Sequence, residues 1–340
     1  MKIPATVITG FLGAGKTTLI RHLLGNANGT WLALIINEFG DLGIDREMIT
    51  GGSIEGCEDE NVIELANGCI CCTVAEEFLP TIEALLDRPE PPDHIVIEAS
   101  GLALPKPLVK AFNWPEVRSR VTVDGVVAVI DAPAVRAGQF ANDVAAVQRE
   151  RETDPMLDHD KPLRDVFKDQ LLCADMVVLN KSDLLDDDAM QSVRADLAGT
   201  VAPGVKVLPA QYGAVDARVI LGIDTRGENH NGVPPSRRDE DDGHDHDDFE
   251  SFVVTLASID DPKTLEDRIA KTAQAFNVLR IKGFVEVTGK DIRHVVQAVG
   301  SRVERYYDRP WGQAEDRRSA LVVIGEAGLD RAAIERALQG

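Results

Sequence analysis

Short apolar runs alternate with helical patterns through about the first 220 residues of the chain. The runs are dense in valine, isoleucine and leucine with little polar alternation, which is typical of strands buried on both faces of a parallel sheet. We therefore predict a doubly wound, mostly parallel α/β sheet that binds its ligand at the carboxyl ends of the strands. The predicted strands are 4–10, 31–37, 94–100, 123–132, 174–180 and 205–210, and the predicted helices are 16–25, 74–88, 162–173 and 186–199.

The pattern breaks at residues 225–249, which are rich in acidic residues, glycine and proline and contain histidines. We interpret this stretch as a solvated linker. Strands outnumber helices after it, which indicates a smaller α+β domain with an antiparallel sheet. The predicted strands there are 251–258, 278–287, 319–325 and segments within 292–307, and the predicted helices are 262–276 and 328–339. The expected domains are thus 1–224 and 250–340.

Composition narrows the classes of function. The chain has 340 residues, 44% of them hydrophobic and 27% charged, as expected for a globular protein. Its net charge of −21 argues against general binding to nucleic acids or anionic membranes. No apolar run reaches the roughly 18 residues that span a bilayer, and the N-terminal run leads into glycines and Lys16 without a cleavage site. We expect a cytoplasmic protein.

The stretch "GFLGAGKT", residues 10–17, fits the phosphate-binding pattern G-x-x-x-x-G-K-[ST]. It follows a predicted strand and precedes a predicted helix, which disfavours the alternative of a chance glycine-rich turn. Backbone N–H groups of such a loop surround phosphates, Lys16 neutralises the β- and γ-phosphates, and the Thr17 hydroxyl binds Mg²⁺. The candidate nucleotide-binding residues are Gly10, Gly13, Ala14, Gly15, Lys16, Thr17 and Thr18.

"NKSD", residues 180–183, follows another predicted buried strand. The Asp183 carboxylate can accept hydrogen bonds from the ring N–H and the exocyclic amine of guanine, while Asn180 contacts the opposite edge of the base. Adenine would leave these buried groups poorly matched. With Lys181 between them, they predict guanine recognition. The alternative is a strand-to-helix turn in which Asp183 is the helix N-cap.

"IVIEASG", residues 95–101, ends a third predicted strand in an acidic residue. Glu98 can hold Mg²⁺ through water or orient the attacking water, and the Gly101 N–H can donate to a γ-phosphate. The alternative is that Glu98 caps the next turn. Asp131, which ends another predicted strand, is a weaker candidate for the same neighbourhood.

Three of the five cysteines, Cys69, Cys71 and Cys72, lie within four positions. A reducing cytosol disfavours disulfides, and the spacing does not match Cys-x-x-Cys redox chemistry. In an extended segment residues 69 and 71 point to the same side. Thiolates would favour Zn²⁺, Co²⁺ or Cu⁺ over Mg²⁺ and Ca²⁺. A metal site and a set of buried core thiols both remain open on these residues alone.

Taken in order, "GFLGAGKTTLI", "INEFGDLGID", "ELANGCICC", "IVIEASGLALP" and "VLNKSD" resemble the CobW-type GTPases, metallochaperones related to the nickel-handling hydrogenase and urease GTPases. "RIKGFVEV" and "SALVVIG" resemble the C-terminal domain of that family, so the resemblance covers nearly the whole chain. It implies that Cys69, Cys71 and Cys72 form a metal site. It also implies that residues 37–45 are a switch segment in which Glu38 and Asp41 meet Mg²⁺ or the transferred metal.

The resemblance implies a GTP-hydrolysing metallochaperone that uses GTP and Mg²⁺, with Lys16 and Glu98 as its catalytic residues. The expected cargo is Co²⁺ for corrin-ring insertion in cobalamin biosynthesis, and the expected partner is a client metalloenzyme, with a cobaltochelatase as candidate. The rivals are a zinc chaperone, a nucleotide-gated metal buffer or sensor, and a small-molecule kinase. His244 and His246 either collect metal weakly or belong to a merely solvated linker.

Overall fold

A computed structural model describes residues 2–27, 29–36, 62–64, 78–153, 161–222, 249–300, 302–312 and 317–340. The chain divides into two compact units, residues 2–215 and residues 216–340. In the described ranges no helix combines the length and the apolar character that crossing a membrane requires.

Seven strands among the described residues of the first unit form one parallel sheet. They are β1 (Ile3–Thr9), β2 (Leu32–Ile36), β3 (Val62–Glu64), β4 (His94–Glu98), β5 (Val121–Asp131), β6 (Met176–Asn180) and β7 (Lys206–Pro209). Their order is β3-β2-β4-β1-β5-β6-β7, so the chain winds to one side of β1 and then to the other. This confirms the predicted doubly wound sheet and places β1 at the switch point, where such sheets bind ligands.

Helices cover both faces of this sheet because its strands are apolar on both sides. The helices are α1 (Lys16–Gly25), α2 (Leu79–Leu86), α3 (Pro105–Ala111), α4 (Pro115–Arg118), α5 (Ala132–Arg136), α6 (Val144–Thr153), α7 (Leu163–Cys173) and α8 (Asp187–Ala198). One core cluster packs β1, β2 and β4 against α2, α3 and α4. Another packs β5 and β6 against α7 and α8.

Four of these helices, α3 to α6, have no counterpart in the sequence analysis, and neither does β3. Helices α3, α4 and α5 span seven, four and five residues. Such short helices show too few turns for a hydrophobic period to stand out. Each begins with a proline in its first turn, a position that proline tolerates because it needs no N–H there.

The second unit contains an antiparallel five-stranded sheet of order β11-β10-β9-β12-β8. Its elements are α9 (Ala217–Leu221), β8 (Phe249–Leu256), α10 (Pro262–Ala275), β9 (Val278–Val285), β10 (Ile292–Val299), β11 (Arg302–Pro310), β12 (Ser319–Glu326) and α11 (Arg331–Gln339). Helices α10 and α11 pack on one face and form the core of the unit with the sheet. The predicted α+β domain is confirmed.

Helix α9 belongs to the second unit, although the sequence places the first domain's end at 224. The side chain of Arg280 on β9 explains this, since its guanidinium donates to the carbonyls of Val219 and Ile220 at the end of α9. Lys282 also donates to the Gly222 carbonyl, at 3.4 Å. Cations on the last carbonyls of a helix satisfy groups that the helix itself leaves unpaired.

Candidate nucleotide-binding site

The predicted phosphate loop connects the end of β1 to the start of α1. Its glycines are needed for space as well as for their backbone angles. Gly15 has a φ of +103°, and a Cβ there would lie 2.0 Å from Asn180 Nδ2. A Cβ on Gly10 would lie 2.2 Å from the Val129 carbonyl oxygen of β5. The loop is therefore pressed against the ends of β5 and β6.

Asn180, the last residue of β6, ties two loops together. Its Nδ2 donates to the Ala14 carbonyl of the phosphate loop at 3.0 Å, and its Oδ1 accepts from the Gly213 N–H at 2.9 Å. The side chain is buried. Both of its polar atoms thus hold the walls of the site in place. The contact of Asn180 with a base edge stays a prediction, for which Nδ2 keeps its second N–H and Oδ1 its second lone pair.

Lys181 follows with a left-handed backbone, φ 61°. Its Nζ lies 2.5 Å from Asp131 Oδ2 at the end of β5. The other oxygen of Asp131 accepts from the Ala134 N–H at 3.0 Å and so caps α5. Asp131 was a weak candidate for the magnesium neighbourhood, whereas the structure commits both of its oxygens to Lys181 and to α5.

Asp183 lies in a single 3₁₀ turn, Ser182–Leu184. The Ser182 N–H and hydroxyl both donate to the Ala210 carbonyl, at 3.0 and 2.9 Å, which fixes this turn beside the end of β7. Asp183 itself is exposed and lines the cavity described below. The alternative role of Asp183 as a helix cap is wrong, because α8 is capped by Asp186, which accepts from Ala189 N–H at 2.8 Å.

Glu98 ends β4 and is almost completely buried. It accepts a hydrogen bond from the Thr17 hydroxyl, with 3.3 Å between Oγ1 and Oε1. A hydroxyl beside a carboxylate is a set of hard oxygen donors, which suits Mg²⁺. Gly101 lies against the phosphate loop, where an added Cβ would sit 3.0 Å from Leu12 N. The structure thus pairs Thr17 with Glu98 and places Gly101 against the start of the loop.

A cavity of about 440 Å³ opens between these elements, a volume within the range of ordinary ligand pockets. Its lining residues are Leu12, Gly13, Gly15, Lys16, Thr17, Thr18, Asn180, Lys181, Asp183, Leu184 and Tyr212. The phosphate loop and "NKSD", about 165 residues apart in the chain, therefore form one site. Sequence reasoning missed Leu12, Leu184 and Tyr212, which belong to no charge or metal pattern.

Thr17 and Glu98 aside, the residues predicted to bind metal belong to other parts of the chain. Glu38, Asp41, Cys69, Cys71, Cys72, His244 and His246 all lie outside the described residues. Within the described ranges, no group of three or more His, Cys, Asp or Glu side chains is arranged to hold a metal ion. The cysteine site remains a prediction.

Comparison with known proteins adds two family matches. Residues 4–209 match the model of the CobW/HypB/UreG nucleotide-binding domain, and residues 249–340 match that of the cobalamin synthesis protein cobW C-terminal domain.

Individual relatives match over nearly the whole chain. A protein of Sinorhizobium sp named "Zinc chaperone CobW" is 50% identical over 99% of this chain and 96% of its own length. One of the same name from Pseudomonas aeruginosa is 48% identical over 99% of this chain and 91% of its own. "Zinc chaperone YjiA" of Escherichia coli (strain K12) is 30% identical over 95% and 94%.

Proposed function

This chain belongs to the CobW/HypB/UreG family, as predicted, and we propose that it is a GTP-hydrolysing metallochaperone that delivers Zn²⁺ to a client metalloenzyme. The expected cargo, Co²⁺ for cobalamin synthesis, becomes the rival. Relatives that are 50% and 48% identical over almost the full chain are named zinc chaperones, which supports the zinc alternative. The alternative of a small-molecule kinase has no such support.

The observation that carries the nucleotide part is the shared cavity of the phosphate loop and "NKSD". Lys16 on one side offers a charge for phosphates, and Asp183 offers a carboxylate for the guanine ring N–H and amine. Asn180 connects the two parts, since it bonds the Ala14 carbonyl and the Gly213 N–H. A ligand with a phosphate chain and a guanine base fits this distribution of charge.

Thr17 and Glu98 are the residues that would hold Mg²⁺, because they already form one pair of oxygen donors. Bound there, Mg²⁺ would neutralise charge on the β- and γ-phosphate oxygens. Lys16 adds a second positive charge at the same phosphates. The buried Glu98 carboxylate holds Thr17 in place and is the candidate for orienting the attacking water.

The register of the sheet supports a coupling between nucleotide and metal. Glu64 of β3 pairs with Ile36 of β2, Ile36 pairs with Glu98 of β4, and Glu98 pairs with Ile8 of β1. Neighbouring strands lie about 4.8 Å apart, so the backbone of Glu64 is about 10 Å from that of Glu98. Ile36, directly before the predicted switch segment, and Glu64, before the cysteine segment, thus lie in the same row of register partners as Glu98.

We infer that GTP·Mg²⁺ orders residues 37–45 and the cysteine segment into a tight metal site, and that hydrolysis releases the ion. Binding energies are reciprocal, so metal should tighten GTP binding by the same factor. A coupling of ordinary size corresponds to about 5- to 150-fold.

The test is a set of Zn²⁺ and Co²⁺ titrations against the full chain with GTP, with GDP and without nucleotide, with Mg²⁺ present. We expect the tightest binding with GTP, and Zn²⁺ to displace Co²⁺ in competition, since zinc lies above cobalt in affinity for most ligand sets. Equal metal affinity in all three nucleotide states would contradict the switch. Co²⁺ winning the competition would restore the cobalt assignment.

Two cysteine variants sharpen this titration. The double substitution Cys69→Ala with Cys71→Ala should abolish tight metal binding and leave GTP binding unchanged. Cys173→Ala is the matched control, because this free thiol at the end of α7 lies outside the triplet. Metal binding that survives the double substitution would place the cargo elsewhere. Absence of phosphate release with GTP and metal would favour a buffer or sensor.

A further inference from the structure

Two residues of the site have a backbone conformation that their side chains disfavour. Among the described residues, positive φ at a non-glycine position is confined to Lys181, at 61°, and Tyr212, at 50°. Left-handed backbone is costly for residues with a Cβ, most of all for bulky ones, and such strain clusters at ligand sites. Both residues line the same cavity.

The backbone around Tyr212 is firmly held. Gln211 to Ala214 form a tight turn in which the Ala214 N–H donates to the Gln211 carbonyl at 2.8 Å. Positive φ at both central residues, Tyr212 and Gly213, is the pattern of a type I′ turn. Gly213 donates to Asn180 and lies against α1, where an added Cβ would be 2.6 Å from Leu19 N. The turn is thereby fixed to the phosphate-loop helix.

The side chain on this rigid turn is not used for packing. Tyr212 is 77% exposed, the largest value among the exposed large hydrophobic residues in the described ranges. Asparagine or glycine would adopt the same backbone at lower cost. A strained turn that presents a large aromatic ring to an open cavity therefore has the form of a ligand contact.

Lys181 offers a second surface in the cavity. Its Nζ is bound by the buried Asp131, which holds the end of the side chain and balances its charge. The aliphatic stem is left to line the cavity beside Asp183.

We propose that Tyr212 is a base-binding residue whose ring stacks on one face of the guanine, in the cavity that the stem of Lys181 also lines. This inference rests on the proposed function, because it concerns the base of the same nucleotide. An aromatic ring gains from stacking on a base whatever its hydrogen-bonding groups. Tyr212 would thus increase the affinity for the nucleotide, whereas Asp183 would determine the preference for guanine over adenine.

The test compares Tyr212→Asn and Tyr212→Phe with the wild-type full chain by calorimetric titration with GDP, ADP and pyrophosphate. Asparagine keeps the left-handed turn without the ring, and phenylalanine keeps the ring without the hydroxyl. We expect Tyr212→Asn to bind GDP about 10-fold more weakly, since one base–aromatic stack is typically worth that factor or more. Tyr212→Phe should stay within about twofold of the wild type.

Two readouts separate a base contact from a structural role. Pyrophosphate binding should be the same in all variants, because the phosphate loop is untouched. The unfolding midpoint of the nucleotide-free Tyr212→Asn protein should equal or exceed that of the wild type, because the strain is relieved. Leu172→Ala, an exposed residue of α7 outside the cavity lining, is the control and should change neither quantity.

GDP binding that is unchanged in Tyr212→Asn would overturn the inference, and so would an equal loss of pyrophosphate binding. Failure of the proposed function has a different signature. A wild-type protein that binds ADP as tightly as GDP, or neither, would refute guanine recognition before any variant is compared.

Discussion

Lys181 with Asp131, in the first unit, and Arg293 with Asp308, in the second, form ion pairs with the same shortest N–O distance of 2.5 Å. Their surroundings differ. The side chain of Lys181 is 32% exposed and lines the nucleotide cavity. Those of Arg293 and Asp308 are 9% and 0% exposed. The Arg293 guanidinium also lies 3.7 Å from the centroid of the Phe284 ring.

The difference follows from the two kinds of sheet. In a parallel sheet the polar residues that end each strand gather at one edge, where Asp131 and Asn180 are register partners on β5 and β6. In the antiparallel sheet neighbouring strands end at opposite edges, so no such collection forms. Arg293 and Asp308 instead join neighbouring strands by two hydrogen bonds. We infer that the first pair positions a ligand-binding side chain and that the second stabilises its unit.

Asp308→Asn should have the largest effect on stability. Removing one charge leaves Arg293 buried without its counter-ion, which typically costs about 3 kcal/mol or more. Unfolding in urea followed by Trp311 fluorescence, in a background with Trp31→Phe and Trp114→Phe, reports on the second unit alone. GDP affinity should be unchanged. A loss of stability below about 1 kcal/mol would show that the second pair is no more structural than the first.

Asp131→Asn should reverse this pattern. Its amide oxygen still accepts from the Ala134 N–H, and Lys181 can reach solvent, so the free energy of unfolding should fall by less than about 1 kcal/mol. GDP binding should weaken by about 2- to 12-fold, because a freed lysine side chain must be ordered on binding. Calorimetric titration measures this. Asp308→Asn, titrated in parallel, is the control, and equal GDP affinities in both variants would contradict the positioning role.

The contrast also explains how much the sequence could predict. Lys16, Thr17 and Asp183 were predicted because each belongs to a short motif whose chemistry is local and whose place at the end of a strand follows from the fold class. The roles of Asn180 and Asp131 depend on contacts with Gly213 and Lys181, which lie 33 and 50 positions away. No local pattern indicates such contacts.

Tyr212 and the pair of Arg293 with Asp308 were missed for a related reason. An exposed tyrosine in a turn has no periodic or chemical signature in the sequence. Its role is indicated by its backbone angle and by its place in the cavity. Arg293 and Asp308 read as ordinary surface charges on alternating strands, because burial is a property of the tertiary structure. Both sheets were predicted correctly, whereas the environments of the two ion pairs depend on tertiary contacts.

The smallest expected effect concerns His294 in the second unit, which is buried against Tyr307 with 4.6 Å between the ring centroids. Neither of its ring nitrogens has a hydrogen-bond partner among the described residues. Burial lowers the pKa of His294 below its ordinary value, and the positive charge of Arg305 acts in the same direction. Below about pH 6.5 the unfolded chain binds a proton that the folded unit resists.

The free energy of unfolding of the second unit should therefore be retained above about pH 6.5 and should fall as the pH is lowered below that value. His294→Phe should flatten this part of the pH profile, measured with the Trp311 reporter in urea. His22→Gln, a partly exposed histidine of the first unit, is the control and should leave the profile unchanged. If the free energy of unfolding of His294→Phe falls with pH as steeply as that of the wild type, the interior of this unit accommodates a charged imidazole. The contrast with the open nucleotide cavity would then rest on the two ion pairs alone.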